Sequence, residues 1–229
     1  MVKKYLLNFL LFTSLALSGC ATVSAPVRPI IEPHPPVIGT ISNPVVDSNI
    51  TLSQALRKYA PPSLKRRQRL VDVLYYSFDG RVHKGQLVID ERLVRDIREV
   101  FRVAFKTKFP IKSVIPVSHS RFYKDGKWNG DGQSMLLNNT SAFNYRRATA
   151  SKKLSMHAYG FAIDINPVQN PYIKRKVVLP PGAVYDRSKP GTLTRDSSIV
   201  RSFIRLGWTW GGNWKSLKDY QHFEKPLSR

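Results

Sequence analysis

The chain has 229 residues, 42% of them hydrophobic and 23% charged, a balance that allows one buried core and excludes a disordered or fibrous protein. Its 37 Lys and Arg against 15 Asp and Glu leave a formal charge of +22, a surface that attracts nucleic acid, acidic glycopolymers or anionic lipid alike. The single cysteine, Cys20, excludes an intrachain disulfide and a thiol nucleophile anywhere else.

In chain order, residues 1–19 come first. Lys3 and Lys4 precede a short apolar stretch from Tyr5 to Leu17. It is too short for a comfortable membrane span and reads as a secretory signal. Leu17-Ser18-Gly19-Cys20 resembles the bacterial lipobox. That resemblance implies cleavage before Cys20, lipidation of its sulfur and stable anchoring in a membrane. Ala21 follows the cysteine where an aspartate would favour retention, so by analogy with enterobacterial sorting the expected address is the periplasmic face of the outer membrane. Residues 20–50 carry six prolines after the cysteine and no hydrophobic period, which predicts a semi-rigid tether with His34 solvated inside it. An export signal without any nucleic-acid motif argues against nucleic acid as the partner. Anionic envelope polymers or lipids remain as partners for the charge.

One folded domain is expected over 51–229. "LVDVLYYSFDG" and "GQLVI" read as two strands around a turn region holding Asp79-Gly80 and Gly85. Asp90 is placed to cap a helix over about 91–107, with Leu93, Val94, Ile97, Val100, Phe101, Ala104 and Phe105 as one apolar stripe ended by Pro110. "KSVIPV" reads as a short strand, and Lys124 to Gly132 as a loop. In "GFAIDIN", Phe161, Ile163 and Ile165 alternate with Ala162, Asp164 and Asn166. After a long Pro/Gly loop, "DSSIVRSFIRLG" predicts a helix capped by Asp196 and stopped at Gly207, and "YQHFE" closes with a strand. Few strands, two main helices and hairpin-like links make this α+β.

His157, Asp164 and His222 are an imidazole, a carboxylate and an imidazole near strand edges. Zinc takes such a set in catalytic sites, keeps a fourth position open, lowers the pKa of bound water and polarises a carbonyl. Asp219 stands three residues before His222, an offset that in a regular strand puts the two on opposite faces. It is therefore expected in the loop leading into the strand, from where it could move a proton from water to a leaving amine. Taken singly, each histidine is open to a structural reading.

Two motifs resemble the zinc D-alanyl-D-alanine carboxypeptidase family, the VanY-like peptidoglycan metallopeptidases that include L-alanyl-D-glutamate endopeptidases. Its Ser-x-His-x-x-Gly-x-x-x-Asp signature stands here from Ser155 through His157 and Gly160 to Asp164, and its acid-x-x-His signature stands as Asp219 to His222. "NNTSAFNYR", "DINPVQNPY" and "GWTWGGNWKSLKDYQHFE" resemble its large bacterial branch, and the likeness runs over about residues 70–225. The resemblance implies the Hedgehog/DD-peptidase fold, an antiparallel sheet flooring a zinc cleft. It implies Zn2+ held by His157, Asp164 and His222, Asp219 as general base, and Arg146 holding the oxyanion or the substrate's carboxylate. Arg147 is adjacent and open to the same role. Ser155 is implied to hydrogen-bond the substrate, a peptidoglycan stem peptide. One departure is "NGDGQSM", where Asp131 stands but Gly132 replaces an expected second acid.

Trp208, Trp210 and Trp214 can line the cleft or fill the core. The run from Arg57 to Arg69 is either a solvated face or a contact for anionic lipid or wall polymer. His119, between two serines, lacks an orienting acid nearby and is not read as a serine-nucleophile partner. His83 is expected to be exposed. Two activities share the machinery implied by the resemblance, D-Ala-D-Ala carboxypeptidase and L-Ala-D-Glu endopeptidase. The rival reading is a non-catalytic wall-binding envelope lipoprotein of the same fold, which the loss of a ligand or of the base would have favoured.

Overall fold

The computed structural model describes residues 38–56, 60–124, 127–148 and 151–227. Cys20, the signal and lipobox reading, His34 and part of the tether lie outside the described residues, as do Arg57 and Lys58 of the basic run. The architecture is mixed α and β, with small sheets and few helices.

Strand β1 (Val45–Val46) is followed by the one-turn helices α1 (Leu52–Ala55) and α2 (Pro62–Lys65). A long hairpin then forms from β2 (Gln68–Tyr76) and β3 (Val82–Asp90), antiparallel and in register from Gln68–Asp90 to Tyr76–Val82. β1 pairs in parallel with β3, upstream of Thr51. The hairpin's turn is Ser77 to Arg81, and Gly85 lies inside β3 rather than in the turn. A Cβ at Gly85 would stand 2.3 Å from the Val114 carbonyl oxygen, so glycine there admits a neighbouring backbone.

Asp90 caps the next element as the sequence predicts, its Oδ1 accepting from the Arg92 amide at 3.0 Å. After a tight turn at Glu91–Leu93 comes α3 (Val94–Lys106), which buries Ile97, Val100, Phe101 and Ala104. The strand expected in "KSVIPV" is only β4 (Ser113–Val114). The glycine-rich loop expected next contains a small hairpin, β5 (Tyr123–Lys124) and β6 (Lys127–Trp128), and the helix α4 (Gly130–Leu136). β7 (Asn139–Thr140) pairs in parallel with β4.

β8 (Ala162–Asp164), β9 (Tyr172–Lys174) and β10 (Val177–Leu179) precede α5 (Ser198–Arg205). Ser197 rather than Asp196 stands at the N-cap of α5, and Gly207, at φ +82°, follows its end. The last strands are β11 (Thr209–Trp210), β12 (Lys218–Asp219) and β13 (His222–Glu224). They build two more sheets, β11-β13-β8 and β10-β9-β12.

One main core joins the hairpin, α3, α5 and the β8–β13 pair through Tyr75, Leu87, Ile97, Ile163, Phe203 and Phe223. Each such side chain contributes about 1.5–3 kcal/mol by leaving water. Trp208 and Trp210 belong to this core. The Trp208 indole donates to Asp96 on α3 at 2.9 Å, which ties the start of the last sheet to that helix. His83 is buried (7% exposed) instead of exposed. Its two ring nitrogens face Asp47 at 3.0 Å and Asp79 at 3.2 Å, a polar clamp that compensates for the burial. Among the described residues no helix is long and apolar enough to cross a membrane.

Candidate active site

The turn that carries His157 is fixed at both ends by its own sequence. Ser155 caps it, its Oγ accepting from the His157 amide at 3.3 Å, and Gly160 ends it at φ +72°. A Cβ at Gly160 would lie 2.3 Å from Gln68 Oε1 and 2.7 Å from the Asp90 nitrogen, so only glycine lets the turn sit against the β2–β3 hairpin. The Asp90 amide donates to the Gly160 carbonyl at 3.1 Å and completes that contact. Four residues on, β8 presents Asp164 directly opposite His222 of β13 in an antiparallel pair. On its other edge Asp164 exchanges backbone hydrogen bonds with Ser141, at 2.8 and 3.1 Å.

Ligand atoms from His157, Asp164 and His222 all lie within 4.8 Å of one another, and all three residues are buried. His157 Nδ1 stands 2.6 Å from the Ala142 carbonyl oxygen. A carbonyl only accepts, so Nδ1 carries the proton and Nε2 turns an open lone pair inward. That Nε2 is 3.2 Å from Asp164 and 3.3 Å from His222 Nδ1. His222 repeats the arrangement with its nitrogens exchanged: Nε2 is 3.1 Å from Glu224 and Nδ1 is 2.9 Å from Asp164 Oδ1. Two acceptors facing one another at 2.9 Å require a cation between them, a proton or a metal ion.

The electrostatics agree. Burial alone would raise the Asp164 carboxyl, but the two imidazoles beside it hold it far below the usual carboxylate range. Burial opposes charge on His222, yet hydrogen bonds to Asp164 and Glu224 outweigh it and push the imidazole up to about 10. Glu224 is lowered by its bond to His222. Two imidazoles and a carboxylate whose outward hydrogen bonds are already fixed form a donor set suited to a metal ion.

These residues sit in a cleft of about 560 Å³ that Ser155, Arg146, Asp219 and Trp214 also line. Asp219 is not in a loop, as the three-residue offset predicts, but in β12, paired with Tyr172 of β9. The chain changes sheets between β12 and β13, which frees Asp219 from the alternation the sequence argument assumed. Its Oδ1 is buried without a hydrogen-bond partner among the described residues. Burial raises the carboxyl to about 6, the His222 charge opposing the rise and Asp164 adding to it. Arg146 faces the cleft, whereas Arg147 donates instead to the Lys152 carbonyl at the base of a small β-bridge with Leu154. Of the three tryptophans only Trp214 reaches the cleft, its ring 5.4 Å from that of His222. His119 plays no part; its Nδ1 accepts from the Arg121 amide and caps a short turn.

Sequence reasoning missed Glu224, although it shares a face of β13 with His222 two residues away, a period-two signal. It also missed that Asn144 and Arg146 both donate to Asp131, contacts between segments with no shared pattern.

Comparison with known proteins bears on the segment that holds the triad. Residues 149–225 match the D-alanyl-D-alanine carboxypeptidase family. The D-alanyl-D-alanine carboxypeptidase match therefore covers all three candidate ligands and Asp219, while Arg146, Asn144 and Asp131 precede it. No curated protein and no solved structure matches the chain.

Proposed function

We propose that the chain is a zinc-dependent peptidase of the bacterial envelope that hydrolyses an amide in the peptide stem of peptidoglycan. Its type is D-Ala-D-Ala carboxypeptidase or L-Ala-D-Glu endopeptidase, on a Hedgehog/DD-peptidase fold. The observation that carries this reading is the convergence of three inward-facing ligand atoms beside an ionisable carboxylate with one unpaired oxygen in one cleft. The match to the D-alanyl-D-alanine carboxypeptidase family supports it.

A zinc ion held by His157, Asp164 and His222 would supply Lewis acidity toward the scissile carbonyl and toward water. With a carboxyl near 6, Asp219 is mostly ionised at neutral pH and still basic enough to take a proton from the attacking water. It returns that proton to the leaving amine. Arg146 holds negative charge on the reacting carbonyl or on the substrate's own carboxylate, and Ser155 presents a hydroxyl to the peptide. Glu224 and the Ala142 carbonyl keep the two imidazoles in register. The proposed setting is a domain tethered through lipidated Cys20 at the periplasmic face of the outer membrane.

Digestion of purified sacculi with the soluble domain, read by mass spectrometry, tests the function. Release of terminal alanine marks the carboxypeptidase and release of whole stems the endopeptidase. A chelator should abolish either product and Zn²⁺ restore it. Binding to sacculi without any product would instead support the non-catalytic wall-binding reading, and full activity in metal-free protein would overturn the metal mechanism.

A further inference from the structure

We propose that Asp131, held by Asn144, is a positioning residue that aims the Arg146 guanidinium into the cleft. The inference rests on the peptidase reading for its kinetic arm only. Asp131 Oδ1 accepts two hydrogen bonds, from Arg146 Nε at 2.9 Å and from Asn144 Nδ2 at 2.9 Å. Asn144 is buried, and its backbone amide donates to the His157 carbonyl at 3.0 Å. A continuous series of bonds therefore runs from the turn bearing His157, through Asn144 and Asp131, to the guanidinium. The Arg146 carbonyl closes the circuit by accepting from the Ser155 amide at 3.1 Å.

An arginine offers five donors in a rigid plane. Here Nε is taken by Asp131, and Nη1 donates to the Arg147 carbonyl at 3.1 Å. Two corners of the plane are fixed. Nη2 has no partner among the described residues, and the side chain lines the cleft. The corner left open is the one that can meet an oxyanion or a carboxylate.

The pair is poorly suited to a stabilising role. Both side chains are partly exposed, 25% for Arg146 and 38% for Asp131, and ion pairs of that kind contribute about 0–1 kcal/mol. Orientation is different: a reacting group misplaced by about 1 Å can lose on the order of a hundredfold in rate. One carboxylate oxygen serves both Asn144 and Arg146.

The test is a double-mutant cycle on the zinc-loaded domain, with Asp131→Asn, Arg146→Ala and their combination assayed on sacculi. Asp131→Asn alone should lower kcat/KM about ten- to a hundredfold while zinc content and the thermal midpoint stay at wild-type values. In the Arg146→Ala background it should change the rate by less than about twofold, because there is no guanidinium left to aim. Multiplicative losses would overturn the proposal, since Asp131 would then act on substrate or fold independently. A second readout does not depend on turnover. The Arg146 Nε–H resonance, assigned by its loss in Arg146→Lys, should be dispersed and slow to exchange in the wild type and collapse to the unstructured position in Asp131→Ala, which leaves no side-chain acceptor. An unchanged resonance would sink the proposal. Inactive wild-type protein with a collapsing resonance would refute the peptidase reading and leave the positioning role standing.

Discussion

As the proposed general base, Asp219 combines two demands that pull against each other. A general base needs a carboxyl raised toward neutral pH, and burial of an unpaired Oδ1 raises it to about 6 at a cost to the fold. The folded carboxyl binds its proton more tightly than an unfolded one, whose value is 3.8. Ionising it thus destabilises the native state, an effect complete above about pH 6 and absent below about pH 4. Asp219→Asn should therefore raise the thermal midpoint of the metal-free domain by several degrees at pH 7–8 while abolishing turnover. At pH 4 the two proteins should melt together. Calorimetry across that range checks the sign, and a stabilisation that persisted at pH 4 would mean that the asparagine gains a contact rather than sparing a charge. His222 carries the companion effect in the candidate metal site. Pushed up to about 10, it is protonated at neutral pH, so metal uptake must release a proton. Calorimetric titrations with Zn²⁺ in buffers of different ionisation enthalpy should count about one proton for His222 at pH 7.

At the scale of elements, the turn from Ser155 to Gly160 is the part most exposed to a single methyl group. Gly160→Ala places a Cβ in the left-handed region and against Gln68 and Asp90 at once, which should cost about 2–4 kcal/mol and weaken metal binding through His157. Gly182 is a matched control, with φ +80° and open space around it, so Gly182→Ala should cost only about 1–2 kcal/mol and leave the metal alone. Equal losses in denaturant melts would show that packing against the hairpin does not matter. Local pattern made α3 and the β8 strand readable in the sequence, since a 3.6-residue stripe and an alternation each lie within a few residues, whereas the turn capped by Ser155 went unread. The β9–β10 hairpin escaped because its strands are short, half-exposed and embedded among prolines. β4, β7 and β12 are two residues each, defined by their partners rather than by propensity. His83 escaped for the same reason, its clamp being Asp47 from 36 residues upstream. The two halves of the candidate metal site were legible as separate spacings. Their meeting depended on a strand pairing that no spacing encodes.

For the whole molecule, the charge of +22 and the proposed lipid tether would together suit the proposed setting, a membrane facing an anionic wall. Wild-type protein should fractionate with membranes and incorporate labelled fatty acid, and Cys20→Ser should do neither; label retained by Cys20→Ser would dismiss the lipobox. The antiparallel pair of β8 and β13 carries a different consequence. Asp164 and His222 face one another although 58 positions apart in the chain, and His157 lies 65 positions from His222. An ion gripping all three would act as a removable cross-link around a long loop, suppressing the entropy of the unfolded chain much as a disulfide does. In a protein whose one cysteine leaves no intrachain disulfide to form, such an ion would make the reagent for catalysis also the clasp that keeps the last strand from peeling away.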